Sequence, residues 1–391
     1  MSDSVAGALP AGGTPDSREG SRATNPRRRY LFDRWIDCLA LGGGSLFVLA
    51  AMAAFFPTDG EARAGLAATT LFLAHFVNHP HFAHSYQLFY KGFIRKAFSP
   101  DSVLSHRYRF AGIMVPAMLV TFFASTLVSG NAPLLGLAAN LMFFLVGWHY
   151  AKQGYGILML DAAQKGIAFN ARERRHLLWN THLAWPTYWL LTNDALAAKS
   201  YWGLIYYAFD VPDALMNAML AVAAVSGGVV VRNLWLKWRS ERALPVNGLV
   251  AYVTSVYIWL MIGRRHPVLL FVVPLFHSLQ YMCVVWRYQL NVEADRQRSR
   301  PAGGGRAEPA RYRTATAGFV RFVLIGGLLG VTGFWVAPML INHVAGYDRA
   351  VFGTTLFMFI GWTFINIHHY FIDAVIWRRE NAETRRYLFA A

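Results

Sequence analysis

Four histidines, His75, His79, His81 and His84, fall within ten residues, beside Asn78, Pro80 and Gln87. Further along, His149 stands in Trp148-His149-Tyr150 with Lys152 and Gln153 close behind, and His277 is followed by Gln280 and Tyr281. Near the C-terminus His368 and His369 precede Asp373. Imidazoles with one carboxylate are the donor set that suits iron, zinc, copper or manganese. The candidate ligands are therefore His75, His79, His81, His84, His149, His277, His368, His369 and Asp373. They would hold one or two metal ions, iron being the first choice and zinc the alternative. A ligating histidine usually gives its second ring N–H to an oxygen, and Asn78, Gln87 and Asn366 are placed to accept it. Tyr281, Gln280 and Gln153 are the candidate catalytic side chains, able to move a proton or line a pocket.

Helical spacing sorts these residues into faces, because positions three or four apart share one. His75 pairs with His79, and His81 with His84. Asn366, His369 and Asp373 form one face, with His368 turned about 100° away. His277 aligns with Gln280 and Tyr281, and His149 with Lys152 and Gln153.

The segments that must position these residues are apolar. The chain has 391 residues, 55% hydrophobic and 15% charged, too apolar for an ordinary soluble domain and too blocky in its apolar runs. A span needs roughly 20 apolar residues, and about ten such stretches follow one another: about 35–56, 65–90, 110–130, 133–160, 177–195, 213–236, 247–263, 267–289, 318–341 and 351–377. The expected fold is an all-α polytopic transmembrane bundle, with no sheet. Residues 1–29 read as a disordered tail, 30–391 as one helical membrane domain, and 292–316 as a polar linker within it. Tyr201 to Phe209 is too short to cross and reads as interfacial.

The net charge is +16. Nucleic acid is not the implied partner, because the Lys and Arg lie in short connections between apolar blocks. Arg27-Arg28-Arg29, Lys91 to Arg109, Lys165 to Arg175, Arg232 to Arg242, Arg287 to Arg313 and Arg378-Arg379 alternate with connections nearly free of positive charge. Only Arg264-Arg265 breaks the pattern. The positive-inside rule then puts both termini in the cytoplasm, as expected of a multi-pass protein of a bacterial inner membrane. Cys38 and Cys283 form no metal or disulfide spacing. Gly326-Gly327, Gly330 and Gly333 permit close helix packing.

In that orientation the histidines of several spans share one depth, on the cytoplasmic side of the midplane. Ionisable groups at that depth are costly and mark sites. His182 alone reads as a hydrogen-bonded core residue; His106, His176 and His266 fall in loops or at interfaces, and His343 outside.

One HxxxH (His75 to His79), one HxH (His79 to His81) and the run His368-His369-Tyr370-Phe371-Ile372-Asp373 give the chain a resemblance to the integral-membrane histidine-box non-haem iron enzymes, the desaturase, hydroxylase and oxygenase type. It covers about four helices. It implies iron, dioxygen and a lipid-like substrate. The expected activity is a metal-dependent oxidoreductase on a hydrophobic small molecule in the lipid bilayer. No nicotinamide or flavin motif is visible, so electrons would come from an external donor. The competing expectations are a proton- or ion-coupled transporter built on the same cluster, a b-type haem protein, and a membrane transferase with a histidine base.

Overall fold

Long apolar runs with no water to satisfy their backbone must close their hydrogen bonds internally, and a helix does so within one segment. The computed structural model describes residues 29–55, 59–100, 102–195, 199–206, 210–259, 269–299, 308–378 and 380–389, and is about 85% helical. The tail up to residue 28, Arg264, Arg265, His266 and the middle of the polar linker (300–307) lie outside the described residues.

The main helices are α1 (Arg34–Ala54), α2 (Gly60–Ala74), α3 (Asn78–Tyr90), α4 (Val103–Ser129), α5 (Ala132–Gln164) and α6 (Ala171–Ala195). They continue as α7 (Asp213–Glu241), α8 (Val246–Ile258), α9 (Leu269–Arg298), α10 (Thr316–Val344) and α11 (Leu356–Ile376). Among the described residues, five are long and apolar enough to cross a membrane: α1, α4, α5, α7 and α10. The described chain is predominantly α-helical, and these five helices are of the length and composition of membrane spans.

Local sequence sets the boundaries. Asp59 caps α2 by accepting from the Ala62 N–H at 2.7 Å, and Asn131 caps α5 with Pro133 in its first turn, where a missing N–H costs nothing. The stretch expected to run unbroken over about 65–90 is instead two helices, parted at His75, Phe76 and Val77. Pro80 then falls in the first turn of α3, so it removes no helical hydrogen bond and introduces no mid-helix kink.

The expectation that no sheet forms is corrected by one hairpin, Lys199–Tyr201 paired antiparallel with Leu204–Tyr206. Its two-residue turn, Trp202 and Gly203, has positive φ at both positions (49° and 80°), the geometry whose twist matches that of paired strands. The Thr355 hydroxyl donates to the Trp202 carbonyl at 2.6 Å and ties the hairpin to the start of α11.

The inner helices are α3, α5, α9 and α11, which pack on one another. Helices α6 and α8 lie against α5, α7 packs on α6, and α10 lies along α3. That last contact is close because two glycines allow it. A Cβ on Gly330 would stand 2.8 Å from the His79 carbonyl carbon, and one on Gly326 would overlap the His84 ring.

Candidate metal centre

Three of the inner helices bring imidazoles to one point. His81 of α3, His149 of α5 and His369 of α11 each offer a ring nitrogen within 4.8 Å of the other two. The Nε2 atoms of His81 and His369 are 3.2 Å apart. Asp373 lies one turn beyond His369, and its Oδ2 is 3.4 Å from His369 Nε2 and 3.5 Å from His149 Nε2. Two donors bound tetrahedrally at about 2.0–2.1 Å are themselves about 3.3–3.4 Å apart, so three of these separations match ligands around one ion. His149 Nε2 and Asp373 Oδ2 are buried and make no hydrogen bond. An uncompensated buried polar atom costs ~1–3 kcal/mol, and a cation at the convergence point would satisfy both. This buried group could hold a metal ion.

Neighbouring groups fix the ligands. The His81 Nδ1 lies 2.7 Å from the Asn78 backbone carbonyl, which can only accept. The proton therefore sits on Nδ1, and Nε2 presents a lone pair to the cluster. The Ser278 hydroxyl, 2.9 Å from the same Nδ1, donates to the Asn78 side-chain oxygen at 2.8 Å. Tyr281 donates to Asp373 Oδ1 at 3.1 Å, which orients the carboxylate and leaves Oδ2 for the histidines. The Ser85 hydroxyl bonds that of Tyr281 in turn.

Beside the cluster is a cavity with about 10 Å³ of room for the centre of a water-sized occupant, enough for one water or ion. Its walls are His81, His149, His277 and His369 with Phe82, Val146, Tyr150, Asn366 and Tyr370. His277 stacks on Tyr150 with ring centroids 4.1 Å apart and stands 4.8 Å from the His149 ring. Both its ring nitrogens are buried without a partner. It is a fourth imidazole at the wall, outside the converging three.

The remaining sequence candidates lie elsewhere. His368 points away, as its 100° offset requires. Its Nδ1 meets the Tyr86 hydroxyl at 2.8 Å and its Nε2 the Ala111 carbonyl at 2.9 Å, so neither nitrogen is left for a metal. His75, in the break before α3, and His79, in its first turn, lie with ring centroids 5.0 Å apart. They stack on Trp335 and Phe334 of α10. His84 stacks on Phe322 at 4.3 Å and meets Gln87 through Nδ1. His81 and His84 are thus separated, the first facing α9 and α11 and the second facing α10.

Gln153 donates to the His277 carbonyl at 2.9 Å and to Gln280 at 3.1 Å, while Gln280 donates to the Leu41 carbonyl. These two amides join α5, α9 and α1 behind the cavity rather than lining it. Tyr281 touches the cluster through Asp373 and through its ring, 5.0 Å from that of His81. Sequence reasoning passed over Tyr150 and Ser278. The signal for Ser278 was present, since it stands three residues before Tyr281 on the same face of α9.

Fold and cluster together define a class: an α-helical membrane protein with a buried histidine–carboxylate group between its helices. No family model, no curated protein and no solved structure matches the chain.

Proposed function

We propose that this chain is a membrane-embedded, metal-dependent oxidoreductase acting on an apolar, lipid-like substrate. Its metal is one iron ion, held by His81, His149, His369 and Asp373. The observation that carries the reading is the convergence of His81, His149 and His369, each with a ring nitrogen within 4.8 Å of the other two, with the unpartnered Asp373 Oδ2 beside His149 and His369. Three nitrogens and one carboxylate oxygen suit iron and leave room for further coordination. Bound there, iron would supply one-electron chemistry with dioxygen. The chain's own residues hold the donors in place, exclude water and offer apolar cavity walls in Phe82 and Val146. The protein lies in a bacterial inner membrane as a multi-pass bundle of about ten spans with both termini cytoplasmic, on the charge pattern of its connections. An external donor delivers its electrons.

The test is elemental analysis with an absorption spectrum on detergent-purified protein, before and after reconstitution with ferrous iron. About one iron per chain without a Soret band is the expected result. Stoichiometric zinc would replace the redox reading with hydrolytic or transfer chemistry. No bound metal after reconstitution would overturn the centre itself and leave the histidines as a proton pathway.

A further inference from the structure

Between the cluster and the arginine-rich end of the bundle runs a file of aromatic rings. Tyr281, whose ring centroid is 5.9 Å from that of His369, stands 5.6 Å from Trp377. Trp377 is 5.9 Å from Tyr288, and Tyr288 is 5.4 Å from Tyr387. Tyr387 reaches the surface beside Arg386, whose side chain is 63% exposed. Every member is tyrosine or tryptophan, the two side chains that give up one electron most readily after cysteine.

Packing alone would accept phenylalanine at these places. The hydroxyls argue against packing alone, because each tyrosine donates to a carboxylate. Tyr281 bonds Asp373 at 3.1 Å, Tyr288 bonds Glu383 at 3.4 Å and Tyr387 bonds Asp295 at 3.0 Å. A phenol can lose its electron at moderate potential only if its proton has an acceptor, and here each acceptor is in place. A second aromatic file near the cluster lacks this feature. Tyr86 and Tyr90 hydrogen-bond His368 and the Gly112 carbonyl, and Phe93 interrupts the way from Tyr90 to Tyr108.

We infer that Tyr281, Trp377, Tyr288 and Tyr387 form a one-electron relay between the metal site and the surface around Arg386, where a soluble one-electron reductant of thiol type is oxidised. The relay rests on the redox reading above. Each passage moves one electron inward. The thiolate at the surface loses it and becomes a thiyl radical, two of which couple to a disulfide over two passages, and an iron held by the cluster, oxidised beforehand by dioxygen or a peroxide, would take it. Tyr288 and Tyr387 hand their protons to Glu383 and Asp295 as they are oxidised and take them back on re-reduction, so the file neither gains nor loses protons; the Tyr281 ring bridges Trp377 to the site with its hydroxyl kept on Asp373. At the outer end the Tyr387 hydroxyl, and after it Arg386, hold the Asp295 carboxyl below its ordinary value, so it is ionised at neutral pH.

The test treats iron-loaded protein with hydrogen peroxide in the presence of a spin trap and reads adducts on Tyr387 by peptide mass spectrometry. Trp377→Phe keeps a ring in place and removes the hop. An added barrier of ~1.4 kcal/mol already slows a step tenfold, so the Tyr387 adduct should fall by roughly tenfold or more, with bound iron unchanged. An undiminished adduct in the variant overturns the relay. Tyr288→Phe, which removes only a hydroxyl, should lower the adduct in the same direction and guards against misfolding of the tryptophan variant. If the protein binds no iron, the oxidoreductase proposal fails by itself, and the relay is judged without metal. A ruthenium polypyridyl photo-oxidant with persulfate then withdraws electrons from the surface. Oxidation of the buried Tyr281, lost in Trp377→Phe, supports the file as a conductor; equal oxidation in both proteins sinks it.

Discussion

Helices α7 and α11 show two ways for an apolar helix to live in this protein. Helix α7 is largely exposed along its apolar length, with Val225 and Val231 standing outward. Helix α11 falls short of the hydropathy measure that α7 meets, yet buries His368, His369, Asp373 and Thr363 among Phe359, Ile372 and Val375. An outward apolar face and high hydropathy go together in α7, whereas a helix shielded by its neighbours is free to carry polar groups. Helix α5 belongs to both sets. It crosses by length and composition, is buried over more of its apolar length than α7, and contributes His149 to the cluster.

The sharpest break between the two kinds of helix comes from removing donors. His369→Ala and Asp373→Ala should each lower metal affinity by roughly 100-fold or more, beyond the 10–100-fold lost with outer partners, while the detergent-extracted protein stays helical and monodisperse. His343→Ala, on an exposed position at the end of α10, should change neither property. Metal content by mass spectrometry on the three proteins decides this; equal content would take α11 out of the site.

The converse experiment puts a charge on the lipid side. Leu328 of α10 is 68% exposed in mid-helix, and a lysine there should cost ~2.5–3.5 kcal/mol on the membrane-insertion scale. The yield of folded protein should drop with little effect on iron per folded chain. A Leu328→Lys protein as abundant and as heat-resistant as the parent would mean that this face of α10 meets water or another subunit rather than lipid. A smaller loss is expected where the two kinds of helix touch. The Cβ of Gly330→Ala would press on backbone atoms of His79 and Pro80, which cannot rotate away. Overpacking of this sort costs ~1–3 kcal/mol, read as a lower unfolding midpoint in a detergent titration. Gly327→Ala, which meets nothing within 4 Å, is the control.

Much of the inner face was legible in the sequence because helical periodicity is local. His369 and Asp373 are one turn apart and do meet, and His368 does point elsewhere; His75 and His79 come together too, but across the break rather than on one helical face. Two things were not legible. The break at His75–Val77 turns on a backbone choice that leaves Pro80 in a first turn, and a proline in an apolar run reads equally well as a kink. Nor does spacing say which face of α3 meets which neighbour. His81 and His84, three apart, are parted because α3 lies between α10 on one side and α9 and α11 on the other, and partner choice among helices distant in sequence leaves no periodic mark. The hairpin at Lys199–Tyr206 was missed because its strands have three residues each, too short for alternation to register.

His368 supplies the finest test of the comparison, since it is an imidazole beside a candidate ligand on α11 and yet acts as a structural group. Its two ring nitrogens join α11 to the Tyr86 hydroxyl on α3 and to the Ala111 carbonyl on α4. Tyr86 is itself partly buried, and the carbonyl of Ala111 lies among buried groups. His368→Ala strands both partners, which should cost ~1–3 kcal/mol and lower the unfolding midpoint while iron per folded chain stays at the parent value. Phenylalanine in its place would fill the volume and still strand both, so His368→Phe should be destabilised to a similar degree. The cost would then come from the lost hydrogen bonds and not from a cavity. If His368→Ala instead loses iron as His369→Ala does, the neighbouring imidazole feeds the centre, and the division of α11 into a metal-holding face and a bracing face fails.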